Sequence, residues 1–484
     1  MSTWNDTRQI AVRLVVTGNL KLETPAHLGS GEPGETVDMA LLKDASEGRP
    51  LLPGTSIAGA LRSYLRAYER GDFGAELKSG AAALLFGATK GDDEGKHGDE
   101  GEQSPLIVDD ALGQPITSEV RDGVRIDPVT RTAKDNFKFD IELLPPGTIF
   151  PLRFELLLPD DKAKAEKLKA ALFLALHGLA QGEIPIGARK TRGFGRCSVS
   201  EWTTTTHRLR ESRSDLLAWL AADHSAWGYA LTSEQIQPQK AEKVPGAGSQ
   251  QKDQRKRFTI RATFALESPL LIRSEEPLTN SGNQPDVAHL RDGEKHPIIS
   301  GTSLAGALRA RAGRILSAIG HPKHDTFLEG MFGKDMQHDP KNPTASHLIV
   351  HEARINAGKA LVQNRVSIDR FTGGAFDTAL FGEAPHVGGT VTLTLTLCAP
   401  KDAEKGLLML LLKDLWTSDL PLGGTTSIGR GRLRGTSAKI CDEGKEWEIK
   451  VEGTESNRLQ LPDEARTRLE SYVGTLAKEG SYAQ

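Results

Sequence analysis

Cysteine is scarce in this chain: Cys197, Cys398 and Cys441 are the only three in 484 residues. So few, so scattered, can form neither a disulfide framework nor a zinc set with paired spacing, and they read as small buried apolar groups. Long apolar runs are missing as well. No uninterrupted stretch reaches the roughly 18 residues that a membrane helix needs, and the start lacks the basic-then-apolar pattern of a signal peptide. A cytoplasmic protein with no membrane partner is the expectation. Aromatic residues make up 5%, which gives little support to recognition of bases by paired surface aromatics. The 13 histidines include no metal-ligating spacing such as His-Glu-x-x-His. No serine or cysteine nucleophile recurs with a histidine in register, so acyl transfer has no support.

Charge of one sign is also absent in bulk, the net being −3, which argues against nucleic-acid binding by overall positive charge. Its distribution is uneven. Residues 91–102 carry six acids and one lysine, the pattern of a solvated insertion. Basic residues gather elsewhere, at Arg189, Lys190, Arg192 and Arg196 and again from Lys252 to Arg261. Composition is otherwise that of a folded protein, 38% hydrophobic and 26% charged, with length for two or three domains.

The sequence repeats itself. Gly54-Thr-Ser-Ile-Ala-Gly-Ala-Leu-Arg62 recurs as Gly301-Thr-Ser-Leu-Ala-Gly-Ala-Leu-Arg309, eight of nine identical. Around it the same landmarks return in the same order. Asp38 and Asp44 answer to Asp286 and Asp292, and Leu85-Phe-Gly87 to Met331-Phe-Gly333. Leu106-Ile-Val108 answers to Leu348-Ile-Val350, and Ile126-Asp127 to Ile368-Asp369. Finally Ile184-Pro-Ile-Gly187 and Gly193-Phe-Gly-Arg196 match Leu420-Pro-Leu-Gly423 and Gly429-Arg-Gly-Arg432. Two tandem copies of one domain follow, about 1–202 and 257–440, with a linker at 203–256 holding a short helix, and an extension at 441–484 with one strand and one helix.

Each copy opens on alternation, Ile10 to Val16 and Phe258 to Leu266, which predicts half-buried strands. After each Gly-Thr-Ser, apolar residues recur at helical spacing (57, 60, 61, 64, 65, 68 and 304, 307, 308, 312, 315, 316), which predicts a helix with a Thr/Ser N-cap. Arg311 stands in that stripe where the first copy has Tyr64. A second alternating strand, from Phe150 and from Val391, precedes helices near 162–180 and 402–416. Strand, helix, strands, helix, strand is the order of a ferredoxin-like α+β fold.

The Gly54 to Gly59 element has glycines like those of a phosphate loop, but Ala-Leu follows where a Walker loop needs Lys and Ser/Thr, which excludes nucleotide hydrolysis there. A helix N-terminus with Gly59 and Arg62, or Gly306 and Arg309, would seat a backbone phosphate of RNA; the plainer reading is a strand-to-helix turn whose glycine admits close packing. The loops ending in Arg196 and Arg432 would bring amides and arginines to phosphates. Asp38, Asp44, Asp286 and Asp292 are either solvated loop acids or functional carboxylates, and Asp127 and Asp369 could cap turns.

Taken together, these residues resemble the RAMP superfamily, specifically the backbone subunits of type III CRISPR effector complexes, with two such subunits fused. The likeness rests on the Asp-x-x-x-x-x-Asp segment, the Pro/Ser-Gly-Thr-Ser-φ-x-Gly-φ-φ-Arg helix start, the Ile-Asp-Arg-x-Thr-like element and the Gly-φ-Gly-Arg loop, each present twice. It implies tandem modified RNA-recognition domains with thumb-like insertions that hold CRISPR guide RNA through its phosphates and displace target bases. By that resemblance the RNA-binding residues are Gly54, Thr55, Ser56, Gly59, Arg62, Gly193 and Arg196 in the first copy, and Gly301, Thr302, Ser303, Gly306, Arg309, Gly429 and Arg432 in the second. Asp38 and Asp286 match the aspartate that promotes Mg²⁺-dependent, or other divalent-metal-dependent, cleavage of complementary target RNA. Pro285 departs from the common form beside the second. Partners implied are other RAMP subunits and a large polymerase/cyclase-like subunit. The alternatives are a guide-RNA scaffold that cuts nothing, or a guide-processing endoribonuclease, a class relying on a histidine; His27 and His289 do not occupy matching places.

Overall fold

The structure is a computed structural model. It describes residues 10–34, 37–77, 80–87, 103–127, 130, 132–221, 234–236, 252–274, 285–334, 344–451 and 459–480. The acidic stretch 91–102 lies outside the described residues, as does much of the 203–256 segment. The chain divides into two compact units: Met1–Glu119, Glu142–Lys190 and Gly195–Arg255 form one; Val120–Ile141, Thr191–Phe194 and Lys256–Gln484 form the other.

In the first unit the alternating residues Leu14 and Val16 lie on strand Val12–Leu22, which is central because it is apolar on its inward face throughout. Strands Cys197–Arg208, Val12–Leu22, Ile149–Leu158 and Leu106–Val108 lie side by side in that order, all antiparallel. Helix α1 (Gly54–Arg70) follows the first strand in sequence and, after the short α2 (Ala81–Phe86), α3 (Lys162–Ala180) follows the third. That connectivity is the ferredoxin-like fold. α1 buries Ile57, Ala60, Leu61, Tyr64 and Leu65 in the core of this unit; fully burying Ile57, Leu61 and Leu65 stabilises by about 1.5–3 kcal/mol each. The last strand runs on to Arg208, past the sequence-based end at 202, before α4 (Arg213–Ala221).

The second unit repeats the plan. Leu433–Asp442, Arg257–Leu266, Thr390–Cys398 and Leu348–Val350 line up in the same antiparallel order, with α5 (Gly301–Ala318), α6 (His324–Phe332) and α7 (Asp402–Trp416) in the corresponding connections. The residues after Cys441 belong to this core: strand Lys445–Val451 extends the sheet, and α8 (Asp463–Glu479) buries Leu469, Tyr472 and Leu476. Buried Asp442 accepts from Lys405 Nζ at 2.9 Å and from the Tyr472 hydroxyl, fastening α8 to α7. Cys197 and Cys398 are buried as expected, but Cys441 is exposed, because its strand turns that position outward.

Each repeat carries a hairpin between its second and third sheet strands. In the first it is Glu119–Ile126 with Ala133–Leu143, in the second Gln363–Ile368 with Ala375–Ala384. Asp127 and Asp369 close the turns: Asp127 accepts from Thr130 N at 2.9 Å, and Asp369 from Phe371 N at 3.0 Å and Thr372 Oγ1 at 2.8 Å. Phe371 stands at the tip, 98% exposed. The first hairpin is anchored within the second unit by a buried ion pair, Arg121 to Glu352 at 2.5 Å.

Candidate functional site

A serine N-cap starts α5, at Ser300 rather than within Gly-Thr-Ser, but no Thr or Ser caps α1. α1 begins at Gly54 behind Pro53, with no side-chain cap, because Gly54 N–H is satisfied by Asp110 Oδ1 at 2.7 Å. In α5 the cap is Ser300, whose Oγ accepts from Ser303 N at 3.3 Å. Ser56 N–H is also taken, by Pro53 O at 2.9 Å. Thr55 and Ser56 are thus inside the first turn, and with Gly59, one turn on, they form an exposed strip of α1.

The glycines divide by role. Gly54 and Gly301 are buried where a Cβ would strike the Val108 and Val350 carbonyls, so they let the helix start meet the neighbouring strand. Gly59 and Gly306 face open space with nothing within 4 Å of a Cβ position. A mid-helix glycine costs roughly 0.5–1 kcal/mol relative to alanine, and among the described residues no packing requires it. Room over the helix is what it supplies.

That strip of α1 forms one wall of a cleft of about 630 Å³, with Asp38, Met39 and Ala40 across it and Gly187, Ala188 and Lys190 from the glycine-rich loop closing it; Glu32 and His27 also line it. Of the first-copy residues that the sequence nominates, Asp38, Thr55, Ser56 and Gly59 meet here, while Gly54, Arg62, Gly193 and Arg196 lie outside the lining. Arg62 holds Glu76 through two bonds, at 2.9 and 2.6 Å, and donates to Gly87 O at 3.0 Å. Arg309 likewise donates to Gly333 O at 2.7 Å. Both arginines therefore tie the first helix to the end of the short helix after it. Arg196 is exposed and pairs with Glu23 at 3.1 Å, and Arg432 is exposed near Glu267.

The loop carrying Asp38 is held from behind by Glu142, a residue with no sequence signal because its partners in that loop are about a hundred positions away. Its carboxylate accepts from Leu41 N at 3.0 Å, Lys43 Nζ at 2.8 Å and Ser118 Oγ at 2.6 Å, and its own N–H donates to Met39 O at 3.0 Å. Burial pushes its pKa up, but these donors outweigh burial and hold it below the ordinary glutamate value. Buried His27 donates from Nδ1 to Glu142 O at 2.8 Å. Lys190 was visible only as one of a basic cluster; burial lowers its pKa.

In the second repeat Asp286 is exposed, but its Oδ2 accepts from Gly382 N of the hairpin at 2.7 Å. Thr302 Oγ1 bonds Ser300 Oγ at 3.2 Å, and Ser300 Oγ donates to Ser303 Oγ at 2.9 Å. The second aspartates of both segments are structural. Asp44 accepts from Ser46 N at 2.9 Å and Glu47 N at 2.8 Å; buried Asp292 accepts from Glu294 N at 3.0 Å and His296 N at 2.9 Å and pairs with Arg354 at 2.7 Å. Among the described residues, Asp292, Glu294 and His296 form a grouping within metal-binding reach, and Arg354 already neutralises it, reaching Glu294 at 2.6 Å. The glycine loops use left-handed backbone at Gly193 and Gly429, each with φ 86°.

A family profile described as the RAMP superfamily matches residues 19–198 and 263–434, the two ferredoxin-like regions. The chain belongs to the RAMP superfamily. No curated protein matches the chain. Membership gives this RAMP protein a CRISPR-associated, RNA-binding role and assembly with other Cas subunits. Among the described residues no helix is long and apolar enough to cross a membrane.

Proposed function

We propose that this RAMP protein is a guide-RNA-holding backbone subunit of a type III RNA-targeting complex that cuts bound target RNA beside Asp38 and beside Asp286. The observation that carries the reading is the convergence of Asp38 with the exposed Thr55, Ser56 and Gly59 strip in one cleft. Gly59 lets a sugar-phosphate backbone approach the helix, and Lys190 offers positive charge at the same place. In the reaction, the 2′-oxygen of a displaced target nucleotide bonds to the adjacent phosphorus and the bond to the next 5′-oxygen breaks. One proton leaves the 2′-hydroxyl and one joins the 5′-oxygen, giving a 2′,3′-cyclic phosphate and a 5′-hydroxyl. Displacement of the base supplies the in-line geometry; the exposed hairpin tip with Phe371 is suited to that wedge. Asp38 and Glu32 line the same cleft and carry the hard oxygen donors that a divalent cation takes; such an ion, held there, would stabilise negative charge on the reacting phosphate.

One observation favours the scaffold reading for the second repeat, namely that Asp286 spends one carboxylate oxygen on Gly382 N. Cleavage of target RNA by the assembled complex, carrying Asp38→Ala or Asp286→Ala, separates the two readings: loss of one product per variant supports cutting in both repeats, whereas a full ladder from Asp286→Ala alone makes the second repeat a scaffold. Full activity in both variants would contradict the catalytic reading.

A further inference from the structure

The glycine-rich loops of the two repeats follow one backbone path and carry different charge. Gly187 and Gly423 each have φ 79°, Arg189 and Thr425 each have φ 55°, and Gly195 and Gly431 have φ 75° and 81°. A non-glycine residue at positive φ is uncommon, so its occurrence at the same place in both loops fixes the register residue by residue. Lys190 therefore stands where Thr426 stands, each opening a single 3₁₀ turn.

The two residues differ in what they can hold. Lys190 lines the cleft with Asp38, Ser56 and Gly59, and among the described residues no carboxylate lies within ion-pair distance of its amine. Desolvating a lysine without a counter-charge is unfavourable, and its pKa is displaced downward accordingly, by burial. An occupant bringing negative charge would relieve that cost. Thr426 offers a hydroxyl. Its neighbour Thr425 is already committed, donating to Gly424 O at 2.7 Å and accepting from Arg430 Nη1 at 3.1 Å.

We propose that the two repeats grip RNA unequally: the first-repeat cleft takes a phosphodiester against Lys190 as a charged contact, while the second repeat holds RNA at the corresponding loop position without charge. This rests on the RNA-binding reading. A single strand bound through one such ion pair contributes about 0.7 to the slope of log affinity against log salt.

The test is the salt dependence of binding an unstructured single-stranded RNA to the full chain. Lys190→Thr installs the residue that the other repeat carries on the same backbone, and should lower the slope by about 0.7, so that affinity falls about 2.5-fold less than wild type between 50 and 200 mM salt. Lys190→Arg should keep the wild-type slope. Thr426→Lys should raise it by a similar amount. A wild-type slope in Lys190→Thr would overturn the unequal grip while leaving RNA binding intact; no binding by the wild-type chain would overturn the RNA-binding reading itself and the grip with it.

Discussion

Arg311 Nε donates to Asp414 Oδ2 at 2.5 Å, joining α5 to α7 inside the second repeat. The first repeat makes the corresponding helix-to-helix contact with a ring on a glycine instead of an ion pair. There the Tyr64 ring lies over Gly178, so close that a methyl group on the glycine would collide, and the Tyr64 hydroxyl donates to Glu183 Oε2 at 3.0 Å. Tyr64 and Arg311 hold the same position after Gly-Thr-Ser, and Gly178 and Asp414 the same position before Ile184 and Leu420. The repeats have kept the fold and diverged in the chemistry that holds it.

Each half of the ion pair should therefore be costly to remove alone and cheap to replace together. Arg311→Tyr leaves Asp414, 3% exposed, with Lys413 as its remaining cationic partner, and should destabilise by about 3 kcal/mol. Adding Asp414→Gly rebuilds the first repeat's contact and should recover most of that loss in a denaturant titration. The pair also sets an acid limit. Burial pushes the Asp414 pKa up, but Arg311 and Lys413 outweigh it and hold it below the ordinary value. The pair's stabilisation is thus fully present above about pH 4 and lost as pH falls through the lower folded pKa. Stability measured between pH 5 and 2 should show a steeper fall in wild type than in the Tyr/Gly double variant.

Gly59 yields two effects of opposite sign. Gly59→Ala meets nothing within 4 Å and should stabilise the chain by about 0.5–1 kcal/mol. Gly59→Leu should fold as well and weaken RNA binding by filling the space above α1. Thermal unfolding and RNA affinity on the same samples check both. A loss of stability in Gly59→Ala would mean that the glycine serves packing after all.

Arg62→Ala should behave as a structural change. With Glu76 and the Gly87 carbonyl deprived of their donor, stability should fall by about 1–3 kcal/mol. The salt slope of RNA binding should stay at the wild-type value under folded conditions, in contrast to Lys190→Thr.

Glu142→Ala should loosen the Asp38 loop, since Leu41 N, Lys43 and Ser118 all lose their acceptor. Amide exchange at Leu41 should accelerate while the sheet strands keep their protection. Unchanged exchange would show that the loop is held by other contacts.

Much of the architecture was legible because duplication doubles each signal: helices at 162–180 and 402–416 and the tail elements lie where periodicity put them. The start of α1 departs from the expected Thr/Ser cap because its donor is satisfied by Asp110, far off in sequence, whereas α5 has its serine cap at Ser300. Repetition nominates Arg62 and Arg309 as ligand contacts, and it does not reveal that both donate to the carbonyl that ends the next helix. Conversely, Lys190 and Glu142 have no counterpart of like charge in the second copy, so a reading that rewards recurrence passes over them.

Mapping target-RNA fragments from the assembled complex decides whether the duplicated RAMP fold carries two separate cutting sites, as proposed. Under the proposed mechanism each carboxylate would reach only the phosphate beside its own displaced base, so one could not act for the other. Asp38→Ala should remove one product and spare its neighbour, Asp286→Ala should do the reverse, and each loop substitution should change stability by no more than about 0.5 kcal/mol. A complete ladder from both single variants would contradict the claim.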